Sequence, residues 1–118
     1  MGKDIVTELG VIEFSRDLIG NLAGIATTEC FGVVGVVSNR LSTGINDLLG
    51  RESLSKGVDV AFGEDTLQIR VNVVVSYGVR ITTIADNIIK NIKYTIERYT
   101  GLKVDKVEVS VQGIRLVN

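Results

Sequence analysis

The chain has 118 residues, 45% of them hydrophobic and 23% charged, and a net charge of −1. That is the size and composition of one soluble domain, residues 1–118, able to bury its own core. The even charge balance leaves no basic imbalance to hold nucleic acid or an anionic membrane. There is no histidine and a single cysteine, Cys30. This excludes histidine-dependent triads, Cys/His zinc sites and an intrachain disulfide, and it suits a reducing cytoplasm. No metal or cofactor is expected. The start, Met1-Gly2-Lys3-Asp4-Ile5-Val6, has no signal-peptide core, and no apolar run reaches the length of a membrane span. The expectation is a cytoplasmic protein without direct membrane insertion, brought near a membrane only through a partner.

Residues from about 5 to 14 (Ile5, Val6, Leu9, Val11, Ile12, Phe14) read as a first strand or strand pair. Ser15 offers an N-cap and Asp17 an acid in the first turn of a helix running to about Cys30. Its apolar stripe is Leu18, Ile19, Leu22, Ile25 and Ala26, and Gly32 is its stop. Val33 to Val37 reads as a short buried strand. Residues 39–57 are irregular, with Ile45, Leu48 and Leu49 spaced for one helical turn. Val58, Val60 and Phe62 alternate as a strand, and Gly63-Glu64-Asp65-Thr66 is a hairpin turn.

From Leu67 to Tyr77 apolar residues alternate with Gln68, Arg70, Asn72, Val74 and Ser76, the period of a strand with one buried face. The polar positions are expected to face solvent. After Gly78 the period becomes helical, from about Arg80 to Thr100. Ile81, Ile84, Ala85, Ile88, Ile92, Thr95, Ile96 and Tyr99 form one band, with Asp86–Lys90 and Lys93–Glu97 paired opposite. Gly101 ends the helix, and Val107, Val109 and Val111 alternate as a last strand. The order is β-α-β-β-β-α-β. It predicts an α+β two-layer sandwich, with two helices on one face of a four- to five-stranded mixed sheet.

Candidate chemistry is sparse. Gly32-Val33-Val34-Gly35 has the spacing of a KH nucleic-acid loop but no adjoining cation, so helix stop and strand entry explain it better. Arg51, Ser53, Ser55 and Lys56 supply phosphate-loop ingredients without the spacing that wraps a phosphate, so a solvated loop is favoured. They are the basis of an alternative function, a small ligand- or nucleotide-binding regulator using the 39–57 loop. Cys30 lies at a helix end, where the dipole disfavours a thiolate, and reads as a small core residue. Gly20, Ala23, Gly24 and Thr27 form a small-residue face at a cost of about 1 kcal/mol per helical glycine, which reads either as slack on a solvent face or as a self-association face. Glu29 and Arg80 each sit at a helix end unsuited to their charge, which predicts a structural ion pair between them.

Several segments together resemble the alkaline shock protein family. They are Gly10-Val11-Ile12-Glu13-Phe14-Ser15 followed by Leu22-Ala23-Gly24-Ile25-Ala26 and Gly32-Val33, then Ser55-Lys56-Gly57-Val58-Asp59-Val60, Asn72-Val73-Val74-Val75-Ser76-Tyr77-Gly78-Val79, and Thr100-Gly101-Leu102-Lys103-Val104 with Val107-Glu108-Val109. They come in the family's order over nearly the whole chain. Arg16 departs from the proline often found at that first helical position, which removes a little pre-organisation. The resemblance implies a Gram-positive protein linked to alkaline or cell-envelope stress, homo-oligomeric or held by a membrane-anchored partner, with no catalytic residues to carry over. The expected function is a non-enzymatic structural or interaction protein.

Overall fold

The computed structural model describes residues 2–38 and 48–116. Strands β1 (Gly2–Val6) and β2 (Val11–Ser15) form an antiparallel hairpin and a sheet of their own. The first apolar stretch is therefore a strand pair outside the main sheet. Helix α1 (Arg16–Thr28) follows at once, its first turn capped by the Ser15 hydroxyl, which accepts from the Leu18 N–H at 3.1 Å. Then come β3 (Val33–Val36), a 3-10 turn (Leu54–Gly57), β4 (Val58–Phe62), β5 (Thr66–Ser76), α2 (Ile81–Thr100) and β6 (Lys103–Arg115).

β5 organises the main sheet. β6 runs parallel to it along its whole length, after the crossover through α2. β4 and β3 pair antiparallel with successive halves of β5, Leu67–Val71 and Val73–Val75. A strand has two edges, so β3 and β4 lie end to end along the edge opposite β6. Both helices pack on one face of this sheet, giving the α+β sandwich. Leu67, Ile69, Val71, Val73 and Val75 meet Ile84, Ile88, Ile92 and Ile96 of α2 and Ile19, Ala23 and Ala26 of α1. α2 stops at Gly101, which adopts φ 75°, a left-handed conformation that glycine takes without strain.

Four expectations change. Leu18 and Ile25 of α1 are 41% and 44% exposed, while Gly20, Gly24 and Thr27 are buried with Ile19, Ala23 and Ala26. The buried arc is thus turned toward the small residues. Within the α2 band, Tyr99 and Ile81 are exposed. Leu48 is extended and bridges Val37, and the Leu49 N–H donates to the Val36 carbonyl, so these residues line β3 rather than form a helical turn. Ile45 and the rest of 39–47 lie outside the described residues. Finally, Asn72 and Val74 do not face solvent but are buried on the face away from the helices. Asn72 donates to the Gly57 carbonyl at 3.1 Å and accepts from Gln112, and Leu48 lies over Gly35, the partner of Val74.

Candidate interaction surfaces

The small-residue face of α1 is occupied by its own chain. A Cβ on Gly24 would lie 2.6 Å from the Leu54 Cβ, and one on Gly20 3.0 Å from the Ser55 Cβ. The Ser55 N–H also donates to Asn21 Oδ1. Gly20 and Gly24 therefore seat the 3-10 turn, and with Ala23 and Thr27 fully buried the face offers no surface to a second copy. This corrects the expected self-association face.

The same packing bears on the loop reading. Arg51 and Lys56 are exposed, and Ser53 and Ser55 are half-buried. The Ser55 N–H is taken by Asn21 and the Lys56 N–H by the Ser53 carbonyl, so two donors a phosphate would need are already engaged. The three surface depressions described below are lined by other residues.

Glu29 and Arg80, both among the described residues, form no ion pair with each other. The C-terminal end of α1 meets the middle of α2, not its start: Asn91 donates to the Ala26 carbonyl at 2.7 Å. Asn91 thus satisfies a carbonyl of the last turn, a need for which Glu29 has the wrong charge. Glu29 shares a depression of about 410 Å³ with Cys30, Phe31, Asn87, Lys90, Asn91 and Tyr94. Within it burial pushes the Cys30 thiol up from its ordinary value. A hydrogen bond from Asn91 acts against this, and the nearby Glu29 charge adds to it. A thiol held neutral is a poor nucleophile.

Beside it a more apolar depression of about 340 Å³ is lined by Phe31, Gly32, Val33, Val34, Ser76 and Val79. Gly32 takes φ 90° here, where a Cβ would strike Ile84, and Phe31 is 81% exposed. A third depression, of about 190 Å³, lies on the open face of the sheet, where Asp59, Arg70 and Glu108 form one row and Ala61, Gln68 and Lys106 the next. Arg70 Nε sits 3.5 Å from Glu108. An exposed pair of this kind contributes little to stability.

Among the described residues, exposed apolar side chains gather on the hairpin. Val6, Leu9, Val11 and Ile12 are all exposed, Leu9 completely so at the tip. The turn is nevertheless held. The Thr7 N–H donates to the Gly10 carbonyl at 2.7 Å, and the Thr7 hydroxyl accepts from the N–H groups of Leu9 and Gly10. The base of the hairpin is anchored as well. Lys3 donates to the Gly63 and Glu64 carbonyls, and Arg16 lies over the Phe62 ring at 5.2 Å. One face carries Ile5, Ile12 and Phe14, of which Ile5 and Phe14 pack on the core. The other pairs Val6 with Val11 and sets Asp4 directly opposite Glu13. Like charges facing each other across a ladder are destabilising. The sequence signal for this surface is the presence of apolar residues on both faces of so short a pair.

The elements thus define a small α+β sandwich with an appended apolar hairpin. The chain belongs to the alkaline shock protein 23 family, described as having a cell envelope-related function, whose family model matches residues 4–116. It is 36% identical over 119 residues to the uncharacterized protein YloU of Bacillus subtilis, covering 100% of this chain and 99% of that one. It is 39% identical over 118 residues to the uncharacterized protein Spy1614 of Streptococcus pyogenes, covering 99% and 98%. A stress response regulator gls24 homolog of Streptococcus pyogenes is 26% identical over 114 residues, covering 96% of this chain and 64% of that protein. Among solved structures, a MamM CTD variant in its zinc form superposes with a TM-score of 0.52 at 12% identity, over 86% of this chain and 88% of that one, a likeness of fold alone. No helix among the described residues is long and apolar enough to cross a membrane.

Proposed function

We propose that this chain acts in the cell-envelope stress response without catalysing a reaction, by holding a partner protein and by self-association. The family supplies the envelope and stress context. The observation that carries the reading is the hairpin, where a pinned turn presents Val6, Leu9 and Val11 to solvent. Exposed apolar residues gathered on a rigid element mark a contact surface rather than an accident of composition. The Asp4–Glu13 pair beside them repels an anionic bilayer and favours a protein surface carrying a base. A membrane-anchored protein would meet that description and place the chain near the envelope.

The test is paired capture from envelope fractions of a native cell, with the wild type and with a Val6→Asp/Leu9→Asp variant of matched melting temperature. The wild type should retain a partner in near-stoichiometric amount, and the variant should lose it. Equal recovery by both baits, or recovery by neither, would contradict the hairpin reading.

A further inference from the structure

β6 is thirteen residues long and, among the described residues, only β5 pairs with it. An open edge of that length is a template for another strand, and proteins normally protect it. Its first half is protected. The Val104 N–H donates to Glu97 Oε2 at 2.9 Å and the Val104 carbonyl accepts from Lys93 Nζ at 3.3 Å, so two side chains of α2 occupy the backbone groups there. Lys103, Asp105, Lys106 and Glu108 add charge to the same half. From Val109 to Ile114 there is no charge. Val107, Val109 and Val111 are only partly buried, and Ile114 is 52% exposed. Ala85 and Ile89, both half-buried, lie roughly 120–160° around α2 from Asn91. Asn91 faces α1, so they flank the strand on its outer side.

We infer that the edge of β6 from Glu108 to Arg115 pairs antiparallel with the same edge of a second copy, across a two-fold axis between Val111 and Gln112. The occupant follows from the order of the residues. An antiparallel two-fold pairing about that point sets Glu108 against Arg115, Val109 against Ile114 and Ser110 against Gly113. Outside the central Val111–Gln112 pair, an acid meets a base and an apolar residue meets an apolar one. Facing residues must also point to the same side of the sheet, and outside that central pair, where Gln112 turns to Ser110 and Asn72, they do. Glu108 and Arg115 are partnered on β5 by Arg70 and Ser76, and Val109 and Ile114 by Val71 and Val75. Residues seven apart would normally point to opposite faces. The bulge at Gln112, where Val111 partners Val73 and Gly113 partners Val74, restores the match. The shared contact joins the main sheets of the two copies into one and brings Ala85 and Ile89 of each α2 toward the axis.

The pairing specifies the self-association part of the function proposed above and is independent of the hairpin contact. It is read by sedimentation equilibrium of the full chain at concentrations up to about 200 µM, where a complex with a Kd of roughly 10 µM is mostly formed. The wild type should reach twice the monomer mass. Ile114→Lys should be monomeric and should melt with the wild type at concentrations too low for the dimer, since the side chain is half-exposed in the monomer. Arg115→Glu should weaken the dimer several-fold, and adding Glu108→Arg should restore it. Leu9→Lys should dimerise as the wild type does. A monomeric wild type, an Ile114→Lys variant that still dimerises, or loss of the dimer on Leu9→Lys alone would overturn the pairing. The first of these would leave the hairpin reading of the partner contact standing.

Discussion

Replacing Gly24 with alanine tests whether α1 is built to seat its own 3-10 turn. On an exposed helix this change raises stability by about 1 kcal/mol, because alanine loses less backbone freedom than glycine. Here the new Cβ would lie 2.6 Å from the Leu54 Cβ, about 1 Å inside an ordinary carbon–carbon contact. Leu54 is 2% exposed, and the atom met is next to the backbone, so the whole turn must retreat. Overpacking of this kind costs about 1–3 kcal/mol. Set against the propensity gain, Gly24→Ala should be destabilising by up to about 2 kcal/mol. Gly20→Ala, whose nearest contact is 3.0 Å from Ser55, should fall close to neutral. Thermal unfolding followed by circular dichroism resolves this, since 1 kcal/mol moves the midpoint by roughly 3–6 °C in a domain of this size. Sedimentation should show the same mass for wild type and variant. A rise in the midpoint on Gly24→Ala, or a change in mass without a change in midpoint, would refute the intramolecular packing.

Two further substitutions test the polar contacts. Asn72→Ala leaves the Gly57 carbonyl without its donor and should cost about 1–3 kcal/mol. Urea unfolding should show a lower midpoint with an unchanged slope. Glu97 is held below its ordinary value of about 4.5, first by the Val104 N–H and then by the Lys93 charge, against some burial. A depressed carboxyl contributes stability that is full above its unfolded value and is lost as pH falls through its folded value. The melting-temperature gap between wild type and Glu97→Gln should therefore be constant at neutral pH and close below about pH 4.5. A gap independent of pH from 7 to 3 would show that the charge of Glu97 is not what holds the start of β6.

Strong periodicity makes β5 and α2 legible. Ile84, Ile88, Ile92 and Ile96 are large, regularly spaced and buried, and the Asp86–Lys90 and Lys93–Glu97 pairs form at 2.9 and 3.4 Å. α1 is harder to read because hydrophobic patterning weighs side-chain size. Leu18 and Ile25 outweigh Gly20 and Gly24, although a tightly seated turn needs the glycines inside. Asn72 resembles the other outward polar residues of its strand. Its burial depends on Gly57 and Gln112, which approach it from far along the chain. The Glu29–Arg80 expectation assumes that two helix ends meet, whereas α1 abuts α2 at Asn91. The full reach of β6 is hidden by its bulges at Asp105 and Gln112, which break the strict alternation before Val107 and beyond Val111. The proposed interaction surfaces are the least legible part. They consist of apolar residues left uncovered, and which residues are covered is decided only by the tertiary fold.

The most direct measurement of the central claim is rescue of a cell lacking this gene under alkaline challenge. The wild-type chain should restore growth. The Val6→Asp/Leu9→Asp variant, expressed at the same level and with the same melting temperature, should not. Full rescue by that variant would contradict an account in which the hairpin is the working surface.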